Sequence, residues 1–183
     1  MPNLIIFIFL CFSLSSCTNI KSKSEIETVV VSKSGSSRAT AYELSNKLIP
    51  TRDGLIASYL NYDGASDTHV VVIVKMDESF KEIKRIELGD GGDNHGGATI
   101  VIDSFGDVHA FYGAHNNGLK YRYSMDNGEL NTWSDEIEIE GGFTYPSAVI
   151  TPEDNIFVIV RDGYNVLQEN PWSYDLLTFN KGK

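Results

Sequence analysis

A turn followed by an alternating apolar strand recurs along this chain, and that recurrence constrains the fold more than any other feature. The copies begin at Gly54, Asp107 and Asn155, which are 53 and 48 residues apart. A period of about 50 residues is typical of a β-propeller, in which each repeat supplies one four-stranded blade. An antiparallel sandwich with regularly spaced hairpins is the alternative that this pattern leaves open.

The rest of the chain after Glu25 also has the pattern of short strands. Alternating segments separated by Gly, Asp and Asn turns predict strands at residues 29–31, 69–74, 99–102, 108–112, 120–124 and 156–160. Only residues 42–48 have a pattern compatible with a short helix. We therefore expect an all-β fold with four-stranded units near residues 40–90, 90–140 and 140–183. Since propellers close with four to eight blades, these units predict about three blades of a truncated β-propeller, which we expect to be seven-bladed when complete.

The N-terminal residues have the pattern of an export signal. Residues 4–12 form an apolar run that is too short to span a bilayer but suits the h-region of a signal peptide. Residues 14–17 (Leu-Ser-Ser-Cys) resemble the bacterial lipobox, in which the cysteine is lipidated. The segment before the apolar run lacks Lys and Arg, so a simple cleaved secretory peptide is the alternative.

Both readings of the leader predict export. We expect a lipoprotein signal peptide over residues 1–17, a polar tether over 18–38 and a partial propeller over 39–183. The protein is then an outer-membrane or cell-surface lipoprotein, otherwise a secreted one, and it contacts membrane only through a lipid on Cys17. The two cysteines, Cys11 and Cys17, both belong to the leader, so the folded part has no disulfide.

The net charge of −10 argues against nucleic acid as a partner. Three of the four histidines lie between positions 95 and 115. His95 and His115 fall in Gly/Asn-rich turns, where side chains are available to solvent. His109 lies in mid-strand on the same face as Phe111, which favours packing or a satisfied hydrogen bond. The spacings of 14 and 6 residues match no common zinc motif, so we expect no metal and no cofactor.

Two further residues are candidates for chemistry. Tyr145 precedes Pro146, which predicts an extended backbone at the start of a strand. Arg161 ends an otherwise apolar strand, where its guanidinium must find an anion or solvent. Taken alone, a core aromatic residue and an ordinary ion pair are the more frequent roles of such residues.

Several segments together resemble a known family. Residues 93–97 (Asp-Asn-His-Gly-Gly), 115–121 and 143–146, with Arg161-Asp162-Gly163, are similar to BNR-repeat proteins that include propeller-fold ulvan lyases. In that family two histidines, a tyrosine and an arginine line the active centre in this order. The resemblance implies catalytic roles for His95, His115, Tyr145 and Arg161, and substrate binding by Asn94, Asn116 and Asn117.

The implied reaction is β-elimination on an acidic, uronic-acid-containing (ulvan-like) polysaccharide. Removal of the C5 proton requires neutralisation of the C6 carboxylate, and the planar fork of Arg161 suits that task. His115 and Tyr145 are candidates for base and acid, with His95 sharing the base role or positioning the sugar. The negative net charge opposes an acidic polymer, but salt screens charges beyond roughly 8–10 Å.

Two other functions remain as alternatives. Residues 124–133 resemble the Asp-box turn of sialidase-type propellers, which is a folding element. A sialidase-like glycoside hydrolase needs an arginine cluster with a paired tyrosine and glutamate, and the few arginines after the leader form no visible cluster. A non-catalytic glycan-binding surface lipoprotein uses the same fold and the same Asn-rich loops. Formation of an unsaturated sugar separates the lyase from both.

Overall fold

The computed structural model describes residues 29–40, 45–163 and 173–180, and over these residues the chain forms strands without helices. In the described part of the chain, accordingly, no helix has the length and apolar character needed to cross a membrane. The strands are β1 (Leu48–Thr51), β2 (Gly54–Asp63), β3 (Thr68–Asp77), β4 (Glu82–Asp90), β5 (Thr99–Ile102), β6 (Val108–Tyr112), β7 (His115–Tyr123), β8 (Ile137–Ile150), β9 (Asn155–Asp162) and β10 (Ser173–Asn180).

The strands form two antiparallel sheets, so the predicted all-β, partial-propeller fold is confirmed. The first sheet is a meander in the order β1-β2-β3-β4, and the second has the order β10-β9-β8-β7-β6-β5. Hydrogen bonds tie the innermost strands of successive units together. Asn46, just before β1, accepts from the Ile100 amide of β5 and donates to the Ala148 carbonyl of β8. Thr99 of β5 accepts from the Ala148 amide. The units therefore curl around a shared axis.

The boundary expected near residue 140 falls within one continuous strand, β8, whose pairing partner changes from β7 to β9 at residues 143–144. This 14-residue strand pairs with β7 along its first part and with β9 along its second part. The first sheet matches the predicted unit at 40–90. The second sheet joins the four strands of the second unit to two further strands, β9 and β10, and β8 belongs to both units.

Three apolar layers hold the units together. One layer lies between the first sheet and the second unit and includes Leu60, Ile73, Ile100 and Tyr112. A second covers the face of the second and third units around Phe111 and is closed by aromatic residues such as Phe179. The third covers the outer face of β2 and β3, against the N-terminal segment. Because the central strands are covered on both faces, they have nearly continuous apolar sequences.

The turns at one end of the sheets repeat the same hydrogen bonding. In the β5–β6 turn, the Asp103 carboxylate accepts from the amides of Phe105 and Asp107. In the β8–β9 turn, the Thr151 hydroxyl accepts from the amides of Glu153 and Asn155. Side-chain acceptors of this kind replace backbone hydrogen bonds in tight turns. This end, called the turn end below, is where the three sequence repeats begin.

The Asp-box-like segment also lies at the turn end and acts as the folding element expected. Asp126 accepts hydrogen bonds from three backbone amides, those of Leu130, Asn131 and Thr132. Ser124 and Trp133 pair as an antiparallel bridge, and the Trp133 ring packs against the core.

Two local predictions have other outcomes. Residues 29–31 form no strand; the segment instead places Val31 against the outer face of the first sheet. The helix considered at 42–48 includes residues 42–44, which lie outside the described residues, and Leu48 begins β1. The leader, the lipobox and Cys17 also lie outside the described residues.

Candidate active site

The candidate catalytic residues all lie at the end opposite the turn end, called the site end below. His95 comes from the β4–β5 loop, which connects the first unit to the second. His115 begins β7, Tyr145 lies within β8, and Arg161 lies near the end of β9. The sequence had predicted a turn at His115, whereas the structure places this residue at the start of a strand.

The β4–β5 loop is folded so that the Asp93 and His95 side chains face the second unit. Asp93 Oδ1 accepts from the His95 amide at 2.8 Å, which closes a tight turn. The Gly96 carbonyl then accepts from the Gly113 amide of the β6–β7 hairpin at 2.9 Å. A side chain at Gly96 would overlap with the Gly91 carbonyl, so glycine is required directly after His95. The His95 and His115 rings stack with centroids 4.0 Å apart.

The shared strand β8 sets the position of the other two groups. Thr144 is the register partner of His115 on one side and of Arg161 on the other. These three residues therefore form one row across β7, β8 and β9. Thr144 is fully buried and anchors the row. A sequence-distant histidine and arginine are neighbours because one strand serves two units.

Tyr145 does not have the extended backbone that the following proline predicted. Its φ is +58°, in the left-handed region that non-glycine residues rarely occupy. The residue lies where the β8–β9 register shifts between Thr144 and Ser147, so the strand bulges at this point. Such bulges redirect side chains and are frequent beside active sites. Here the bulge places the Tyr145 ring 6.3 Å from the His95 ring, between centroids.

Arg161 is held over that tyrosine. Its guanidinium carbon lies 4.7 Å from the centre of the Tyr145 ring, in cation–π geometry. Its Nη2 donates to Asn116 Oδ1 at 3.3 Å. The Thr144 hydroxyl donates to the same oxygen and accepts from the Asn116 amide. The structure thus brings His95, His115, Tyr145 and Arg161 together, while their catalytic roles stay predictions.

The three asparagines expected to bind substrate have different positions. Asn116, with φ +59°, is bonded to Arg161 and Thr144. Asn117 Oδ1 accepts from the His115 amide and so caps the start of β7. Asn94 donates to the Ser37 hydroxyl at 3.4 Å, at the rim of the loop. Substrate binding by these residues stays a prediction.

His109 has the structural role that its position in the strand favoured. It is buried in the second unit, with Nδ1 2.7 Å from the Tyr121 hydroxyl and Nε2 3.4 Å from Asp103 Oδ2. It lies apart from the pair formed by His95 and His115.

The electrostatics of the loop favour a charged Asp93 and a neutral His95. Partial burial raises the pKa of Asp93, but hydrogen bonds from the His95 amide and the His115 ring, with the attraction of both rings, hold it below its usual value. Burial lowers the pKa of His95, and repulsion from His115 and Arg38 adds to this, while Asp93 partly opposes it. The site therefore holds an anion between two imidazoles, with His95 resisting protonation.

The site also contains a set of ligand atoms of the kind that divalent cations use, from Asp93, His95 and His115. One ligand atom from each lies within 4.8 Å of the others. The observed contacts are nonetheless those of hydrogen bonds: Asp93 Oδ2 is bonded directly to His115 Nδ1, and Arg38 Nη1 lies 2.6 Å from His95 Nε2. A fixed guanidinium against the cluster disfavours a second cation there. The absence of a metal from the reaction stays a prediction.

An open cavity of about 440 Å³ adjoins the site. Its wall includes Tyr145, Ser147, Ile159, Arg161 and Tyr174, so the tyrosine and the guanidinium are accessible from it. This volume is within the range of small-molecule sites.

Sequence reasoning missed three residues of the site: Arg38, Asp93 and Thr144. Arg38 lies in the segment predicted to be a tether and contacts His95 across 57 positions of sequence. Thr144 is a small polar residue whose importance depends on pairing on both sides. Asp93 alone had a local signal, because an Asp two residues before a histidine in a Gly-rich loop is typical of an Asx-type turn.

Comparison with known proteins supports the family and the fold. The sequence model of a family described as "BNR repeat-containing family member" matches residues 56–177. No curated protein sequence matches the chain.

Among solved structures, the chain is similar to an ulvan lyase of polysaccharide lyase family PL25 in complex with -[GlcA(1-4)Rha3S]-, with 19% identity and a TM-score of 0.57 over 79% of this chain and 37% of that one. A second solved structure, described as a PL25 ulvan lyase, gives 20% identity, a TM-score of 0.57 and coverages of 78% and 37%. The polysaccharide lyase Uly1 gives 14% identity, a TM-score of 0.52 and coverages of 87% and 46%. The chain thus has a polysaccharide-lyase-like fold and spans less than half the length of these proteins.

Proposed function

The chain belongs to the BNR repeat-containing family, and on this basis we propose that it acts as a polysaccharide lyase on an ulvan-like polymer. The substrate class is a polysaccharide that contains uronic acid, and the reaction is β-elimination. The observation that carries the proposal is the arrangement of Arg161 over Tyr145, with the stacked pair of His95 and His115 beside the same ring.

Each group fits one requirement of the elimination. The C5 proton of a uronate becomes removable when the C6 carboxylate is paired with a cation, and the Arg161 guanidinium is bidentate and permanently charged. A neutral imidazole accepts the C5 proton, and a phenol donates a proton to the leaving oxygen on C4. Since the guanidinium and the His95 ring both lie close to the Tyr145 ring, with His115 stacked on His95, we expect these groups to reach adjacent atoms of one sugar.

The solved relatives are consistent with this substrate class. The PL25 ulvan lyase has -[GlcA(1-4)Rha3S]- bound, which contains a uronic acid next to a sulfated sugar. The cavity beside Tyr145 and Arg161 offers space for a sugar residue on the open side of the site. The net charge of −10 makes long-range attraction to such a polymer unfavourable, so binding depends on local cations and weakens little with salt.

The test is the appearance of a C4–C5 double bond, followed by ultraviolet absorbance. The chain is incubated with ulvan and, in parallel, with a neutral polysaccharide of similar size. We expect absorbance to rise with ulvan alone, and Arg161→Gln to abolish the rise. Arg52→Gln, at the turn end, is the matched control. Retained ulvan binding without any unsaturated product, in wild type, would identify a non-catalytic glycan-binding protein instead.

We also propose that the protein is exported and carries a lipid on Cys17, because the leader and lipobox-like residues 14–17 have that pattern. Mass spectrometry of the mature N-terminus in a bacterial host measures this directly. We expect a lipid-modified Cys17, and Cys17→Ala to move the protein from the membrane fraction to the soluble one. An unmodified N-terminus beyond residue 17 would identify a secreted protein without an anchor.

A further inference from the structure

The Asp93 carboxylate is shared by both histidines of the site through different oxygens. Oδ1 accepts from the His95 amide at 2.8 Å and lies 3.3 Å from His95 Nδ1. Oδ2 is bonded to His115 Nδ1. An ionised carboxylate only accepts hydrogen bonds, so each ring nitrogen that faces it carries the proton.

The second nitrogen of His95 is engaged by Arg38. Arg38 Nη1 lies 2.6 Å from His95 Nε2. A guanidinium only donates, so this ring nitrogen accepts and cannot also take a proton from a substrate. With Nδ1 towards Asp93 and Nε2 towards Arg38, His95 is held as a neutral ring of one tautomer.

His115 differs from His95 at its second nitrogen. Within residues 29–40, 45–163 and 173–180, no hydrogen bond to His115 Nε2 is formed. About a third of the side chain is exposed, so a substrate can approach it. With the His115 proton fixed on Nδ1, His115 Nε2 is the nitrogen whose lone pair this pair of imidazoles can present to a substrate.

We propose that Asp93 is a positioning residue that fixes the tautomer of His115, and that Arg38 removes His95 from competition as the proton acceptor. In the elimination, His115 Nε2 takes the C5 proton, the electron pair forms the C4–C5 double bond, and the leaving oxygen on C4 receives a proton from Tyr145. His115 is then an imidazolium beside the Asp93 carboxylate, which stabilises it. This catalytic consequence rests on the proposed lyase function; the tautomer assignment does not.

The tautomers are measured by NMR of the imidazole nitrogens in the ¹⁵N-labelled chain, above the pH at which the histidines are protonated. We expect wild-type His115 to carry its proton on Nδ1. In Asp93→Asn, one of the two carboxylate oxygens is replaced by an NH₂ group, which only donates. We expect this NH₂ group to face His115 Nδ1, so that His115 shifts to the Nε2-H tautomer. Asp154→Asn, an Asp-to-Asn change in an exposed turn at the other end, leaves the histidine spectra unchanged.

His109 is the internal reference for folding, because its ring is buried between Tyr121 and Asp103. If its signals move in Asp93→Asn, Arg38→Gln is the second test. That variant is expected to change the Nε2 signal of His95 and to leave His115 as it is. A wild-type His115 protonated on Nε2, or an Asp93→Asn protein that keeps the Nδ1-H tautomer, overturns the proposal.

Kinetics supply the independent readout. We expect Asp93→Asn to lower kcat with ulvan about a hundred-fold or more, the scale of a lost acid–base group, with KM nearly unchanged. An equal loss in Asp154→Asn would assign the effect to general destabilisation and contradict the proposal. If the wild-type chain forms no unsaturated product, the proposed function fails, and the NMR result still decides the tautomer assignment.

Discussion

The two ends of the sheets are formed by the same strands but differ in the contacts that their loops and strand ends make. At the turn end, three turns satisfy their own backbone amides through a nearby Asp or Thr, namely Asp103, Asp126 and Thr151. At the site end, side chains from different units contact one another, as His115 and Asp93 do, and two residues within strands, Asn116 and Tyr145, have left-handed backbone conformations. The turn end holds the strands in register, and the site end brings together side chains that no single repeat contains.

Two histidines six residues apart show the same difference. His109 is in the middle of β6, fully surrounded, and bonded within its own unit. His115 starts β7 and is bonded to Asp93, which belongs to the connection from the preceding unit. The two residues are of the same type and close in sequence. Only their positions in the strands distinguish the structural histidine, His109, from the candidate catalytic one, His115.

The largest expected effect is at the site end and separates activity from folding. Tyr145→Phe removes the hydroxyl that donates the proton and keeps the ring beneath Arg161. We expect turnover to fall by about a hundred- to ten-thousand-fold, with polymer binding and the melting temperature nearly unchanged. Steady-state kinetics with a binding assay measure both. Retained turnover would refute the acid role of Tyr145.

The turn end should give the reverse result. Asp126→Ala leaves three backbone amides without their acceptor, and we expect the free energy of unfolding to fall by about 1–3 kcal/mol. Denaturant unfolding measures the loss. Turnover of the folded protein should stay at the wild-type value. A large drop in kcat at a temperature where the variant is folded would contradict the separation of the two ends.

A buried cation beneath the site end gives a pH-dependent test. Burial lowers the pKa of Lys47 to about 8, and its ammonium donates to the Ala98 carbonyl. The native pKa lies below that of the unfolded chain, so between pH 8 and 10 the unfolded state binds more protons and stability rises with pH. The rise approaches about 1 kcal/mol per pH unit. Lys47→Met should lack it in denaturant titrations at pH 7, 8, 9 and 10; an identical slope would contradict the burial.

The smallest effect concerns His95. Its folded pKa is below the usual 6.5, so its contribution to stability is present above pH 6.5 and lost as the pH falls through the folded pKa. His95→Asn should therefore lose less stability than wild type between pH 7 and 5. Thermal melts across that range measure the difference, with Asp154→Asn as the unchanged control. Parallel curves for wild type and His95→Asn would mean that His95 is protonated equally in both states.

The frame was predictable from sequence because alternation and turn residues act locally. The segments 69–74, 99–102, 108–112 and 156–160 all lie in β-strands. The continuity of β8 was not predictable, since pairing on both sides of Thr144 depends on two other strands. The rule for residues before proline failed at Tyr145, because the bulge between β8 and β9 overrides the local preference.

The site was predictable in its residue types and less so in its geometry. His95, His115, Tyr145 and Arg161 were implied by the resemblance to BNR-repeat ulvan lyases, and the structure brings them together. Arg38 could not have been found, because its contact with His95 depends on how the N-terminal segment lies across the first sheet.

A strand shared by two repeats also changes how the molecule comes apart. The first sheet has its own strands, whereas opening the second unit disrupts pairing on one side of β8 and opening the third disrupts the other side. We therefore expect the second and third units to open as one cooperative unit, and the first sheet to open separately. Amide protons of β7 and β9 should exchange at a common rate, and those of β2 and β3 at another. The repeat visible in the sequence is thus smaller than the unit that we expect to unfold cooperatively.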